Sequence, residues 1–238
     1  MLELFVSAVE QNSGKNIVTT GLAATMQSLG YSTGVYKPVD CGAIEKNDSI
    51  QSLDLAFVKF ADPNIKTYFS YLFKTNASPL VAAAAEKIAI DKNVILQDFQ
   101  SLIDRNECLL VQGNDGLATP YGKNFLESDL IKCFDMPMLF VVSPNMSINN
   151  IILSINHAIS AGIKLRGVLI NNYPAATEDV NVKLLPRLIE EYSDAKIMGI
   201  LPIIEDYRTV NPNDLIENTL MGVDLEAVFQ VRIAKLSY

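Results

Sequence analysis

The stretch that decides the fold is LELFVSAVEQNSGKN, residues 2–16. Its first part, Leu2–Val6, is an apolar run typical of a buried strand, and an amphipathic helix begins near Ile17 after a short polar turn. In the turn, Gly14 lets the backbone pass close to an anion and Lys15 supplies a compact positive charge. The free amides at a helix start point at the same anion, and the helix dipole adds to their attraction. The stretch therefore predicts a phosphate-binding loop between a strand and a helix.

Two positions depart from the usual pattern of such loops. Ala8 stands where a leading glycine is expected, and Asn16 stands where a serine or threonine normally reaches Mg²⁺. The anion-binding part is thus present while the metal-binding part is altered. The loop is either a working nucleotide site or a remnant of one, and the alternative for the Gly14-Lys15 pair is a tight turn with a solvated lysine.

Short apolar runs alternate with helical segments along the whole chain. The runs are apolar at nearly every position, as expected of strands buried on both faces. The predicted strands are Leu2–Val6, Ser32–Tyr36, Cys108–Val111, Met138–Val142, Gly167–Asn171 and Ile197–Leu201. The predicted helices are Ile17–Leu29, Pro79–Ala89, Val94–Arg105, Phe125–Phe134, Ile148–Ala161, Val180–Tyr192 and Asp224–Ala234.

This alternation predicts an α/β fold with a mostly parallel central sheet flanked by helices, as a single domain over residues 1–238. Ligands of such sheets bind beyond the carboxyl ends of the strands. Five segments are expected along that edge: Ser7–Lys15, Lys37–Gly42, Gln112–Gly116, Ser143–Ser147 and Asn171–Pro174. The stretch from Gly42 to Pro79 is less regular, and we expect there a helix near Ile50–Phe60 followed by loop.

Composition limits the classes of partner. The chain has 238 residues and a formal net charge of −8, so a broad surface for nucleic acid or an acidic membrane is not expected. No apolar run approaches the roughly 18 to 20 residues of a membrane span, and the N-terminus lacks a leader pattern. Cys41, Cys108 and Cys133 show no CxxC spacing, which favours a reducing, cytoplasmic compartment. His157 has no supporting metal or triad motif, and we expect an ordinary helix residue.

The edge segments carry residue types that phosphate chemistry uses. Lys37-Pro38 follows a predicted strand, so we expect a rigid turn that directs the ammonium group across the site; an exposed lysine at a strand end is the alternative. Asp54 is a candidate metal carboxylate or a helix cap. The glycines of Gln112–Gly116 allow close approach to a ligand. Cys41 is expected to be a small buried residue rather than a nucleophile, and Asn171-Asn172 are either ligand-binding or turn residues.

In their order along the chain, these motifs resemble the dethiobiotin synthetase family. The resemblance runs nearly end to end and is carried by Phe5–Gly21, VYKPV at 35–39 with Cys41-Gly42, Asp54-Leu55-Ala56, Ala77–Ala82, Val111–Gly116, Thr119-Pro120, Ser147-Ile148-Asn149, Gly167–Asn171, Gly199–Pro202 and Val223-Asp224-Leu225. The resemblance implies a three-layer P-loop NTPase-like fold. It also implies that the chain closes a cyclic urea on 7,8-diaminononanoate, with CO₂ as a reactant and with ATP and Mg²⁺ as cofactors.

The resemblance implies roles for individual residues. Lys15 would bind the β- and γ-phosphates and Lys37 would stabilise charge on the carbamate and the transferring phosphate, so these two would be catalytic. The implied nucleotide-binding residues are Gln11, Asn12, Ser13, Gly14, Lys15, Asn16, Pro202 and, at the adenine base, Asn171. The implied substrate-binding residues are Lys37, Cys41, Ser147 and Asn149, and the implied metal ligands are Asn16, Asp54 and Gln112. A homodimer, with the substrate site near its two-fold interface, is implied as well.

Departures from the family pattern concentrate where the chemistry would occur. Asn16 replaces a metal-binding threonine, Gln112 replaces a metal-binding glutamate, and Cys41 replaces a serine or threonine that contacts the carbamate. Leu80 replaces a histidine. Amide oxygens can still bind Mg²⁺, but neutral ligands hold the ion less firmly than carboxylates. Asp115, three residues after Gln112, either restores the lost charge or repels a triphosphate.

Three function classes remain open from the sequence. The first, which we expect, is an ATP-dependent ligase of the dethiobiotin synthetase type, with the same or another substrate. The second is a binding or sensing module without turnover, since EQNSGK at 10–15 also resembles the loop of nucleotide-binding domains fused to phosphotransacetylases. The third is the cobyrinate amidase group, whose larger chains carry a glutaminase domain that does not fit within this chain.

Overall fold

A seven-stranded sheet forms the centre of the computed structural model, which describes residues 1–46, 49–204 and 210–233. The strands are β1 (Leu2–Ala8), β2 (Thr33–Cys41), β3 (Ile44–Lys46), β4 (Ser49–Gln51), β5 (Lys66–Phe73), β6 (Cys108–Gln112), β7 (Pro120–Gly122), β8 (Phe125–Leu126), β9 (Met138–Val142), β10 (Leu165–Tyr173) and β11 (Ile197–Pro202). Across the sheet the order is β11-β10-β9-β1-β6-β2-β5, and every neighbouring pair is parallel. The pairs β3-β4 and β7-β8 are small antiparallel additions.

Helices cover both faces of this sheet. They are α1 (Lys15–Ser28), α2 (Leu53–Ala61), α3 (Pro79–Glu86), α4 (Lys92–Ile103), α5 (Glu127–Phe134), α6 (Ile148–Ser160), α7 (Val180–Ser193), α8 (Pro212–Gly222) and α9 (Leu225–Phe229). Successive strand residues point to opposite faces, so Phe5 and Val111 join one core cluster while Leu4 and Leu110 join the other. Both faces are therefore buried, and the predicted α/β architecture of a parallel sheet between helical layers is confirmed.

The position of β1 determines where the first loop lies. β1 pairs with β6 on one side and with β9 on the other, and its register brings Val6 level with Gln112 and Leu139. Because all three strands run in the same direction, their carboxyl ends meet at one edge. The loop after β1 therefore lies in the middle of that edge, beside the segments that follow its neighbours.

The rigid turn predicted at Lys37-Pro38 is wrong, since both residues lie inside β2. Pairing with β6 ends at Tyr36, and the register with β5 includes Lys37 and Val39 but passes over Pro38. Proline lacks the amide that a central strand needs, but it is tolerated where a strand has lost one neighbour. The extended strand still brings Lys37 to the carboxyl edge.

The structure also corrects the region from Gly42 to Pro79 and the C-terminal part. The expected loop contains β5, an edge strand whose aromatic run is largely half-buried, and the hairpin β3-β4 precedes α2. Helix α8 was not predicted, although Asn211 caps it and Pro212 stands in its first turn. The helix predicted over Asp224–Ala234 is shorter, Leu225–Phe229, and its predicted last residue lies outside the described residues. Within the described ranges, the helices are all too short or too polar to cross a bilayer.

Truncation of Leu110 tests the central core. Leu110 is fully buried in β6, so Leu110→Ala is expected to lower the free energy of unfolding by about 2–5 kcal/mol through lost transfer energy and a cavity. Leu153→Ala is the matched control, because Leu153 is 60% exposed on α6 and its loss is expected to cost less than about 0.5 kcal/mol. Urea denaturation measures both, and equal costs would contradict the described core.

Candidate functional site

The loop between β1 and α1 is held by its glycine. Gly14 is the N-cap of α1 and has a φ of +88°, in the left-handed region that disfavours other residues. A Cβ atom at position 14 would lie 1.9 Å from Nδ2 of Asn171, so the loop packs directly on the end of β10. The absence of a side chain at Gly14 is thus required by Asn171, while the predicted close approach of its backbone to a phosphate stays a prediction.

Lys15 bridges this loop. Its Nζ donates to the main-chain oxygen of Glu10 at 3.1 Å, and Ser13 Oγ donates to the same oxygen at 2.5 Å. The Lys15 side chain is largely buried, and burial lowers its pKa, while the carboxylates of Glu127 and Asp115 act to raise it. A buried cation with a main-chain oxygen as its hydrogen-bond partner is suited to bind an anionic oxygen in the loop.

A second polar group comes from β2, α2 and β6. Lys37 forms ion pairs with Asp40, at 2.6 Å, and with Asp54 in the first turn of α2. Asp54 also accepts a hydrogen bond from Gln112 Nε2 at 2.8 Å. Burial acts to lower the pKa of Lys37, but the Asp54 and Asp40 carboxylates outweigh it and raise that pKa above its ordinary value. Lys37 therefore remains charged.

The loop with Lys15, and the second polar group with Lys37, face one cavity of about 430 Å³ at the carboxyl edge of the sheet. Predicted site residues that line it are Gln11, Asn12, Gly14, Lys15, Asn16, Lys37, Cys41, Asp54 and Gln112. Asp115 and Asn172 line it too. Burial, with nearby Asp40 adding to the effect, raises the pKa of the Cys41 thiol to about 12, which is the opposite of what a thiolate nucleophile needs. The cavity is thus polar and carries two lysine ammonium groups.

Other predicted residues lie away from the cavity lining. Ser13 is fully buried inside the loop, and Asn171 is fully buried beneath Gly14. Pro202 ends β11, and Ser147 and Asn149 are exposed at the start of α6. Among the residues that the structure describes, none of these five lines the cavity, so their proposed contacts with nucleotide or substrate stay predictions.

The donor set suits a magnesium ion that is held partly by phosphates. Asp54 offers one carboxylate, and Asn16 offers an amide oxygen that also accepts from the Thr20 hydroxyl at 3.4 Å. Gln112 Oε1 is buried, and within the described part of the chain it has no hydrogen-bond partner. Mg²⁺ commonly uses one or two carboxylates together with substrate phosphates. No group of three or more His, Cys, Asp or Glu side chains that could hold a metal occurs among the described residues.

Sequence reasoning missed Glu127. The sequence places it inside a helix over Phe125–Phe134, but Phe125–Leu126 forms β8 and α5 begins at Glu127 itself. Its carboxylate is completely buried behind the turn that follows β6 and accepts hydrogen bonds from Ser7 and Asn114. Burial raises the pKa of Glu127, while the Ser7 hydrogen bond and the charge of Lys15 oppose the rise. No local pattern identifies this residue, because its partners are distant in sequence.

A glycine-lysine loop after the central strand, beside a polar cavity at the strand ends, defines a P-loop nucleotide-binding protein. The family model described as AAA domain matches residues 3–211. The ATP-dependent dethiobiotin synthetase of Bacillus velezensis is 30% identical over 224 residues, which cover 91% of this chain and 93% of that protein. That of Bacillus licheniformis is 29% identical over 210 residues, covering 87% and 88%. The chain belongs to the P-loop family of the dethiobiotin synthetases, which confirms the resemblance.

A solved structure supports the fold alone. In the MinC:MinD cell division protein complex of Aquifex aeolicus, a matching chain is 13% identical with a TM-score of 0.53. The match covers 86% of this chain and 82% of that chain. Such a likeness is consistent with the P-loop architecture.

Replacement of Gly14 tests the packing of the loop on Asn171. Gly14→Ala is expected to cost about 1–2 kcal/mol for the left-handed backbone and about 1–3 kcal/mol more for the contact with Asn171. Gly162→Ala is the matched control, because Gly162 has a φ of +74° and a Cβ atom there would have no heavy atom within 4 Å. Unfolding free energies from urea titration give both values.

The part of the Gly14→Ala cost that comes from contact with Asn171 should disappear when Asn171 is truncated. In an Asn171→Ala background, Gly14→Ala is expected to cost about as much as Gly162→Ala, which a double-mutant cycle measures. If Gly14→Ala and Gly162→Ala cost the same in the otherwise unchanged protein, the described contact with Asn171 is wrong.

Proposed function

We propose that this chain is an ATP-dependent ligase of the dethiobiotin synthetase type, which closes a ureido ring on 7,8-diaminononanoate or a related diamine with CO₂, ATP and Mg²⁺. Support comes from the relatives that match most of the chain and carry that name. The observation that carries the proposal is that Lys15, at the start of α1, and Lys37, in β2, face the same cavity beside Asp54. Phosphoryl transfer needs positioning and charge neutralisation more than covalent chemistry, and two converging lysines supply both.

Each lysine has a separate task in this proposal. Lys15 exchanges the Glu10 main-chain oxygen for oxygens of the β- and γ-phosphates, and the amides at the start of α1 face the same anion. Lys37 stabilises the negative charge of the carbamate that forms when CO₂ adds to an amine of the substrate. Its pairing with Asp40 lets Lys37 release Asp54 and still keep one buried counter-ion.

A magnesium ion, when bound, would neutralise phosphate charge during transfer. Asp54, Gln112 and Asn16 are the residues that would hold it, Gln112 through its unpartnered Oε1. The contacts of Asp54 with Lys37 and Gln112 Nε2 are both made by Oδ2, so a cation would bind at Oδ1 or would compete with these partners for Oδ2. The remaining nucleotide and substrate contacts follow the family resemblance. By the same resemblance the protein is a homodimer, in which the exposed Ser147 and Asn149 lie close to the substrate site. It is also proposed to be cytoplasmic.

One observation favours a second candidate, a nucleotide-binding or sensing module without turnover. The carboxylate of Asp54 already has two internal partners, the Lys37 ammonium and the Gln112 amide. A glutamate at position 112 would repel Asp54 and leave it open to a cation, whereas glutamine donates to it. The neutral glutamine thus stabilises a state in which Oδ2 of Asp54 is occupied by partners from the protein itself.

Calorimetric titration with ATP and Mg²⁺ tests nucleotide binding. The intact protein is expected to bind, and Lys15→Ala is expected to abolish binding because it removes the cation from the loop. Lys92→Ala is the control, since Lys92 is exposed at the start of α4 and a loss of charge there should leave binding unchanged. Absence of binding by the intact protein at millimolar ATP would rule out both candidate functions.

Phosphate release separates the two candidates. With ATP, Mg²⁺, bicarbonate and 7,8-diaminononanoate present, a ligase releases phosphate and forms the cyclic urea, and Lys37→Ala stops both. Binding of ATP without phosphate release from this mixture would favour the sensing module. If phosphate is released only when a different diamine is supplied, the protein is still a ligase, but its substrate is that diamine.

Gain of a carboxylate at position 112 tests the metal assignment. Gln112→Glu is expected to raise the affinity for Mn²⁺, in the presence of ATP, by about tenfold, because the number of ligand charges sets the affinity for hard cations. Electron paramagnetic resonance of free Mn²⁺ gives this affinity without reference to activity. Gln100→Glu adds the same charge on the exposed face of α4 and should not change it. Unchanged Mn²⁺ affinity in Gln112→Glu would contradict the assignment.

A further inference from the structure

Glu127 is a completely buried carboxylate that the proposed chemistry does not use. It is the first residue of α5, where the helix dipole favours a negative charge. Among the charges that act on it, Lys15 is favourable and Asp115 is unfavourable. A buried charge is costly unless hydrogen bonds satisfy it. The contacts of Glu127 therefore indicate what its burial achieves.

Those contacts join separate parts of the site. Oε1 accepts from Ser7 Oγ, near the end of β1, at 2.5 Å. Oε2 accepts from the main-chain amide of Asn114 at 2.6 Å and from the Tyr121 hydroxyl at 3.4 Å. Ser7 directly precedes the final residue of β1, and Asn114 belongs to the turn that follows β6. One carboxylate thus ties the end of β1 to the turn after β6, and the loop after β1 and this turn both line the cavity.

The turn at 113–116, called here the bracing turn, packs tightly at both of its glycines. A Cβ atom at Gly113 would lie 2.6 Å from Glu127 Oε1, so the turn packs on the carboxylate. A Cβ atom at Gly116 would lie 2.6 Å from the main-chain oxygen of Val9, so the turn also packs on the phosphate loop. The bracing turn therefore contacts both Glu127 and the start of that loop.

We propose that Glu127 is a positioning residue for nucleotide binding: its carboxylate holds the bracing turn by the Asn114 amide and thereby holds the phosphate loop in its anion-binding shape. This inference rests on the proposed binding of ATP at that loop. Glu127 does not touch the cavity, so its effect on ATP passes through Ser7 and the bracing turn.

Two substitutions at this position separate hydrogen bonding from charge. Glu127→Gln and Glu127→Ala both remove the ionisable carboxyl group. Glutamine can still accept from the Asn114 amide through Oε1 and donate to the Ser7 hydroxyl through Nε2, whereas alanine can do neither. We expect Glu127→Ala to bind ATP about tenfold more weakly than Glu127→Gln in calorimetry, since two hydrogen bonds are lost.

Hydrogen exchange gives a readout that needs no nucleotide. The amides of the bracing turn and of residues 8–16 are expected to exchange faster in Glu127→Ala than in Glu127→Gln. Leu130→Ala is the control for general loss of stability, because Leu130 is fully buried in the same helix, α5. It should lower the thermal midpoint and leave both ATP affinity and exchange in these segments unchanged.

Equal ATP affinities and equal exchange rates in Glu127→Gln and Glu127→Ala would overturn the inference. If the intact protein binds no ATP, the proposed function fails, and the exchange comparison still decides whether Glu127 holds the loop. Should Glu127→Ala fail to fold, Glu127→Asp replaces it. Its shorter side chain keeps the charge but cannot reach Ser7 and Asn114 together, so the same weakening relative to Glu127→Gln is expected.

Discussion

The parallel pairing of β1 with β6 and β9 is the constraint on which the site depends. It places the carboxyl ends of three buried strands at one edge, so residues more than a hundred positions apart, such as Ser7 and Gln112, lie near the ends of neighbouring strands. Both faces of these strands are buried, and a one-residue slip would move every core side chain to the opposite face. The register is thus fixed by burial, and the loops inherit their relative positions from it.

Charge balance decides what those loops can do. Lys37 is satisfied by Asp40 and Asp54, and Lys15 is influenced by the more distant Glu127 and Asp115. The Asp54 and Asp40 carboxylates raise the pKa of Lys37, whereas burial lowers the pKa of Lys15 and the Glu127 and Asp115 carboxylates only oppose that change. They also oppose the approach of a triphosphate. Nucleotide binding therefore requires the phosphates to compete with the partners that the two lysines have within the protein. A bound cation would reduce the repulsion between these carboxylates and the phosphates.

Much of the fold could be predicted from the sequence, because buried parallel strands are continuous apolar runs: Met138–Val142 was predicted with the bounds that the structure has. The edge strand β5 has no such run, since its aromatic side chains are half-buried and mixed with polar ones. For the site, the glycine-lysine loop was recognisable from local spacing. Glu127 was not, because a buried carboxylate is defined by partners such as Ser7, 120 positions away, and by the space behind Gly113.

Gln112 and Glu127 together determine where carboxyl groups lie relative to the cavity. Gln112 removes a negative charge from the cavity surface, while Glu127 places one behind the adjacent Gly113, out of reach of any ligand. A charge on the cavity surface can bind a metal directly, whereas a buried one acts on the loop through hydrogen bonds and on Lys15 through space. This arrangement supports anion binding more strongly than metal binding. For the proposed ligase, turnover therefore requires Asp54 to hold the cation with amide oxygens and phosphates as the other ligands.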